Sequence, residues 1–215
     1  MVKRDKVFQI TDHIILFLLA LFCILPLLLL FSSSFSNETA ILHEGYHILP
    51  REFDLTAYKY ILNGSSGILR SYGISAIITI AGTLGNLFLT ILYAYPISRG
   101  DLKGRTFFSF FLFLTILFNG GLIPTYMMWT NTFHIKNSYL AYILPNLLMN
   151  GFFVIMARNF FTANIPVALL ESAKIDGAGE FRILRDIVLP MSKPILATLG
   201  LFVSLNYWNY WQNGL

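Results

Sequence analysis

The chain predicts an all-α fold, a polytopic transmembrane helix bundle with five spans, on three observations. Hydrophobic residues make up 56% of its 215 residues and charged residues 12%, where a soluble domain averages about 25% charged. Five apolar windows approach the roughly 20 residues that a helix needs to cross the hydrocarbon core. Basic residues collect in alternate connecting segments, the pattern that orients a multi-pass protein.

The first window, Ile14 to Phe31, follows Lys3, Arg4 and Lys6 and resembles a signal peptide at its start. Its apolar core is long, and Phe31-Ser-Ser-Ser offers no small-x-small cleavage site, so it is expected to stay as span one. The others are Ile74 to Ile97, Phe107 to Ile123, Tyr139 to Ala157 and Ile195 to Trp211. Arg99, Lys103 and Arg105 fall between spans two and three; Arg158, Lys174, Arg182, Arg185 and Lys193 fall between four and five. These segments and the N-terminus are expected in the cytoplasm. The opposite side receives Arg51, Lys59, Arg70 and Lys136, mostly in the long segment from Ser32 to Arg70.

Several functions are disfavoured. None of the five windows carries Asp, Glu, Lys or Arg, residues that proton- or ion-driven carriers commonly place inside the membrane. The nearest approach to a phosphate-binding loop, Gly100-Asp-Leu-Lys-Gly104-Arg105-Thr106, has the wrong spacing and Arg where Lys is needed. The lone cysteine, Cys23, leaves no intrachain disulfide or cysteine-rich metal cluster.

One polar passage interrupts this apolar chain. Glu171 to Pro190 holds Glu171, Lys174, Asp176, Glu180, Arg182, Arg185 and Asp186. Asn164-Ile-Pro166 suits a helix start, with Asn as cap and Pro in the first turn. That helix would present Val167, Leu170, Ala173 and Lys174 and reverse at Asp176-Gly177, where glycine can turn left-handed. A second helix over Gly179 to Val188 would bury Phe181, Leu184, Ile187 and Val188 and expose Glu180, Arg182, Arg185 and Asp186. Pro190 and Pro194 would stop it. Taken alone, this is an amphipathic hairpin of the kind that lies on a bilayer or under a bundle.

The order Glu171, Ala173, Gly177, Ile187, Leu189, Pro190 resembles the EAA loop of ATP-binding-cassette (ABC) importer permeases, with Ser172 a small-for-small change at the second position. Pro145-Asn146, Arg158-Asn-Phe160-Phe161, Pro194, Asn206-Tyr-Trp208-Asn209, Leu25-Pro26 and Gly120-Gly-Leu-Ile-Pro124 are similar to the carbohydrate-uptake, maltose-permease branch. The resemblance covers almost the whole chain, residues 1–215, as one permease domain with a cytoplasmic coupling loop at about 162–193. It implies a multi-pass subunit of the bacterial cell membrane that is not itself an enzyme. Its implied partners are ABC ATPase subunits that bind ATP and Mg, a second permease subunit, an extracellular solute-binding protein, a sugar or oligosaccharide, and lipid, with no nucleic acid. Glu171, Ser172, Ala173, Asp176, Gly177, Ile187, Leu189 and Pro190 would form the ATPase-coupling element. The family has six spans, so ending at Asn213-Gly-Leu215 after the fifth makes a truncated or fragmentary member the expectation.

Other signals keep alternatives open. His43-Glu-Gly-Tyr-His47 fits the H-E-x-x-H pattern of a zinc hydrolase and offers a membrane metalloenzyme as an alternative; a structural subunit is another. Gly45 and Pro50 argue against the stable helix that a zinc site needs, and no third ligand is evident. His13 and His134 sit at span edges. Trp208, Tyr207, Tyr210 and Trp211 suit an interfacial belt. With Asn206 and Asn209 on one helical face, the same segment also suits a translocation lining, where rings stack on sugars and amides bond hydroxyls. Ala81, Gly82 and Gly85 suit a close helix contact. Asn86, Asn119, Asn146 and Asn150 could bond between helices or touch substrate. Asn37-Glu-Thr39 and Asn63-Gly-Ser65 match glycosylation acceptors only weakly.

Overall fold

The computed structural model describes residues 6–64, 66–145 and 147–210. Its regular elements there are helices, apart from an isolated antiparallel bridge between Ser36 and Phe53. Lys3, Arg4, Ser65, Asn146, Trp211 and Asn213 to Leu215, all invoked above, lie outside the described residues. The chain forms two compact units, Met1–Ser71 and Tyr72–Leu215.

In the first unit, α1 (Lys6–Ser34) contains the predicted first span. Its apolar side chains from Ile14 to Phe31 are largely exposed, as suits a helix whose solvent is lipid. A short α2 (Glu38–Glu44) follows, started by Asn37, whose side chain accepts a hydrogen bond from the Thr39 N–H at 2.9 Å. Next comes α3 (Thr56–Gly64). Phe35 stacks on Phe53 and on Tyr58, with ring centroids 5.6 and 5.3 Å apart.

The second unit is built on α4 (Ser66–Ser98), which contains the predicted second span. Among the described residues, α1 and α4 are the two helices long and apolar enough to cross a membrane unaided; counting each sharply bent helix pair as one span gives up to five. The bends correct the expected spans. The third stops with α5 (Arg105–Leu117), because Asn119 accepts a hydrogen bond from the Gly121 N–H at 2.9 Å and Gly121 turns left-handed at φ 84°. Past a 112° bend lie α6 (Leu122–Met127) and a π-helical turn, Met128–Thr132.

The fourth, expected to run unbroken from Tyr139 to Ala157, is interrupted between α7 (Leu140–Ile143) and α8 (Gly151–Asn164). Leu144 is still helical, and Pro145 after it lacks the N–H that would continue the ladder. Asn150 restarts the helix by accepting from the Phe152 N–H at 2.9 Å. Because α8 continues to Asn164, Arg158 is helical and not part of a loop, so the helix carries a charge that the predicted window lacked. Its guanidinium donates to the Ile97 carbonyl at 3.4 Å.

The remaining elements are α9 (Val167–Ile175), α10 (Glu180–Ile183), a second π-helical turn (Leu184–Val188), α11 (Leu189–Met191) and α12 (Lys193–Asn209). Around the fully buried Val154, Ala157, Leu199 and Val203, α8 and α12 build the core with α4 and Leu112 of α5. Gly82 of α4 admits the Tyr207 ring: a methyl at Gly82 would stand 2.4 Å from it. Tyr207 in turn donates from its hydroxyl to the Ile143 carbonyl at 3.0 Å. Asn86, also buried, donates to the Leu147 carbonyl and accepts from Thr90 at 3.2 Å. Side chains of α4 and α12 thus satisfy carbonyls that the break in the fourth span releases, as a membrane interior requires.

Candidate functional site

The polar passage folds as a helical hairpin whose start and end differ from expectation. Asn164 closes α8 instead of capping α9, and its amide donates to the Phe160 carbonyl at 3.0 Å. Pro166 occupies the cap position, its fixed φ of −63° leading the chain in. At the turn, Gly177 has φ 79°; its N–H donates to the Lys174 carbonyl at 3.0 Å, and the Ala178 N–H donates to Ala173 at 2.9 Å. This is a Schellman cap, which ends a helix by closing its last carbonyls. Ala173 therefore contributes a carbonyl to the turn, and both alanines pack against the core.

The second arm departs further. Pro190 does not stop the helix: the π turn widens the preceding coil, so the chain continues through α11 to Ser192 before bending by 81° into α12. Pro194 lies in the first turn of α12. The buried face is Ile183, Leu184 and Val188, where an α-helix would bury Phe181 with Leu184. Ile183 and Val188 are five residues apart, the spacing of a π turn, and Phe181 is 70% exposed. Ile187 and Leu189 are half-buried and Pro190 is exposed.

Charge is organised around the same hairpin. Lys174 of α9 lies 2.9 Å from Asp101 and 2.7 Å from Glu180. Arg99, just after α4, holds Asp101 through both Nε (3.2 Å) and Nη2 (3.1 Å). The Tyr95 hydroxyl donates to the other oxygen of Glu180 at 2.6 Å. Hydrogen bonds from Arg99 and then Lys174 hold the Asp101 carboxyl well below its ordinary range. Lys174, then Tyr95, lowers that of Glu180. Glu180 and Asp101 raise the Lys174 ammonium. The network brings the α4–α5 turn and the hairpin to one end of the second unit. It escaped the sequence because Asp101 and Lys174 are 73 positions apart and each looks like an ordinary solvated charge.

Glu171 and Asp176 stand outside this network. Both are exposed, and neither carboxylate has a hydrogen-bond or ion-pair partner among the described residues. The Ser172 hydroxyl donates to the Leu169 carbonyl at 3.0 Å, and Asp176 is the exposed cap residue of α9, its N–H donating to the Ser172 carbonyl at 3.0 Å.

The candidate lining residues of α12, Asn206, Trp208 and Asn209, are all exposed. Asn206 borders a cavity of about 10 Å³ with Asn86, Asn150 and Phe153, room for a water and not a sugar ring. Trp208 turns toward Tyr72, with ring centroids 6.3 Å apart, and Asn209 donates to the Leu205 carbonyl at 2.9 Å.

The metalloenzyme alternative fails on geometry. Gly45, at φ 82°, ends α2 between His43 and His47, so the two imidazoles do not share a helical face. Glu44, the would-be base, pairs with Arg51.

Bent apolar helices with a polar helical hairpin at one end are the build of a membrane-embedded subunit. Residues 102–210 match the family described as binding-protein-dependent transport system inner membrane component, and the chain belongs to that family. It is 37% identical to the polygalacturonan/rhamnogalacturonan transport system permease protein YtcP of Bacillus subtilis, over 99% of this chain and 73% of that one. It is 38% identical to protein LplC of the same organism, over 96% and 69%. A bacterial ABC transporter involved in import of the acidic polysaccharide alginate superposes with a TM-score of 0.87 at 29% identity, covering 98% of this chain and 75% of that one. The chain is thus a permease subunit of an ABC importer and not an enzyme.

Proposed function

We propose that this subunit carries sugars or oligosaccharides across a bacterial plasma membrane, and that its α9–α10 hairpin receives the work of ATP hydrolysis. The substrate class rests on relatives whose names specify polygalacturonan, rhamnogalacturonan and arabinooligosaccharides, and on the alginate importer. ATP and Mg belong to separate ATPase subunits; a second permease and an external solute-binding protein complete the assembly. The positive-inside pattern supports a cytoplasmic hairpin and N-terminus.

The observation that carries the coupling role is Glu171, a carboxylate left unpaired beside a network that engages Asp101, Lys174 and Glu180. The exposed Val167, Ile175 and Phe181 supply an apolar surface for docking. Glu171 meets a basic group on the ATPase, the exposed Ser172 allows close approach, Ala173 seats α9 on the core and Asp176-Gly177 makes the turn. Ile187, Leu189 and Pro190 fix the exit toward α12. Asn206, Trp208 and Asn209, exposed at the far end of α12, line the path between permeases. Reconstitution with ATPase, companion permease and binding protein tests this: Glu171→Ala should abolish ATP-dependent sugar uptake while the subunit still inserts. Normal uptake would remove the coupling role.

A further inference from the structure

We infer that the Arg99–Asp101–Lys174–Glu180 network is a latch that makes the hairpin and the adjoining end of α4 move as one body, an inference that rests on the coupling role proposed for the hairpin. By backbone, the hairpin joins α8 and α12 only. A displacement delivered to α9 reaches those helices through the chain, but it reaches α4 only through non-covalent contacts.

Part of that contact is apolar: Ala94, Tyr95 and Ile97 of α4 share one core cluster with Leu170, Ile183, Leu184 and Val188. A cavity of about 370 Å³ opens on the α10 side and another of about 390 Å³ on the α9 side, and Tyr95, Arg99 and Asp101 border both. Outside that core the surface opens on either side of the network, and between the two openings the link is polar. Lys174 reaches both carboxylates, and Arg99, 11% exposed, clamps Asp101 with two nitrogens. A planar, forked guanidinium held this way fixes orientation as well as distance. Its Nη1 is buried without a partner, so loss of Asp101 would leave the cation poorly compensated. Tyr95 anchors Glu180 from α4 itself. The side chains that tie α9 to α10 therefore also tie both to α4.

The test uses the complete importer in proteoliposomes with Cys23→Ser, reading uptake per ATP hydrolysed. The pair Asp101→Cys and Lys174→Cys removes the latch and should lower that ratio at least about fivefold, within the range by which residues between coupled sites modulate coupling. A short bifunctional thiol reagent applied after assembly should restore it to within about twofold of the parent, a rescue that a mere folding defect would not show. Lys174→Met should reproduce the loss and Lys174→Arg should retain most function. A parental ratio in the unlinked cysteine pair, or no recovery on linking, overturns the latch. Glu171→Ala, run in parallel, separates the two ideas. If it transports normally, the coupling role fails and the latch with it; if it is inactive while the unlinked pair is normal, only the latch fails.

Discussion

At the scale of single residues, two glycines carry different constraints. Gly177 has open space where a Cβ would stand, so its requirement is conformational: φ 79° is left-handed. Gly177→Leu should cost about 1–2 kcal/mol at the turn, and Gly177→Asn less, since Asn tolerates that region. Thermal unfolding of the purified subunit in detergent should rank the parent, Asn and Leu forms in that order. Gly82 is the reverse case, an ordinary helical backbone with no room, because the Tyr207 ring fills the site and its hydroxyl is held by Ile143. Gly82→Ala should destabilise by about 1–3 kcal/mol through overpacking, read as a lower melting temperature that Tyr207→Ala partly relieves.

Among elements, the charge network has a defined pH behaviour. Asp101 and Glu180 titrate below their ordinary values of 3.8 and 4.5, so their contribution is present above those values and lost only as pH falls through the lower folded ones. Lys174 titrates above 10.5, so its contribution is complete below that value and lost as pH rises through the higher folded one. Between these limits the network is constant. The ratio of uptake by Lys174→Met to that of the parent should therefore be the same at about pH 6 and about pH 8; a ratio that changes would assign the effect to other groups. What the sequence made legible divides along the same lines. Apolar windows and the Gly177 turn follow from local composition. The breaks at Pro145 and Asn119-Gly-Gly were masked by the hydropathy of their flanks, although both contain breaker residues. The face of α10 was assigned with the wrong period, because a π turn has no clear sequence signature. The partners of Arg99 and Lys174 required the third dimension.

For the molecule as a whole, burial and orientation depend on the surroundings. The exposed apolar flanks of α1 and α5 require lipid or another subunit, as in any membrane bundle. With the hairpin in the cytoplasm, a cysteine at Lys174 in the Cys23→Ser background should react with an impermeant thiol reagent only after the membrane is opened. A cysteine at Tyr46, in the segment between α1 and α4, should react in intact cells. Labelling in the opposite order would invert the topology.

The π turn at Leu184–Val188 also sets an azimuth. Each residue of an α-helix advances the chain by about 100°, so the extra residue in this wide coil offsets everything before it from everything after it by about that angle. Glu180 meets Tyr95 and Lys174 while Val188 and Ile195 face the core because of this offset. The turn works as a phase key: deleting Asp186 would leave the buried apolar residues, Pro190 and the glycine turn in the sequence, yet swing the acidic end of α10 away from its partners. Along this stretch, chain length carries information that substitution alone cannot alter.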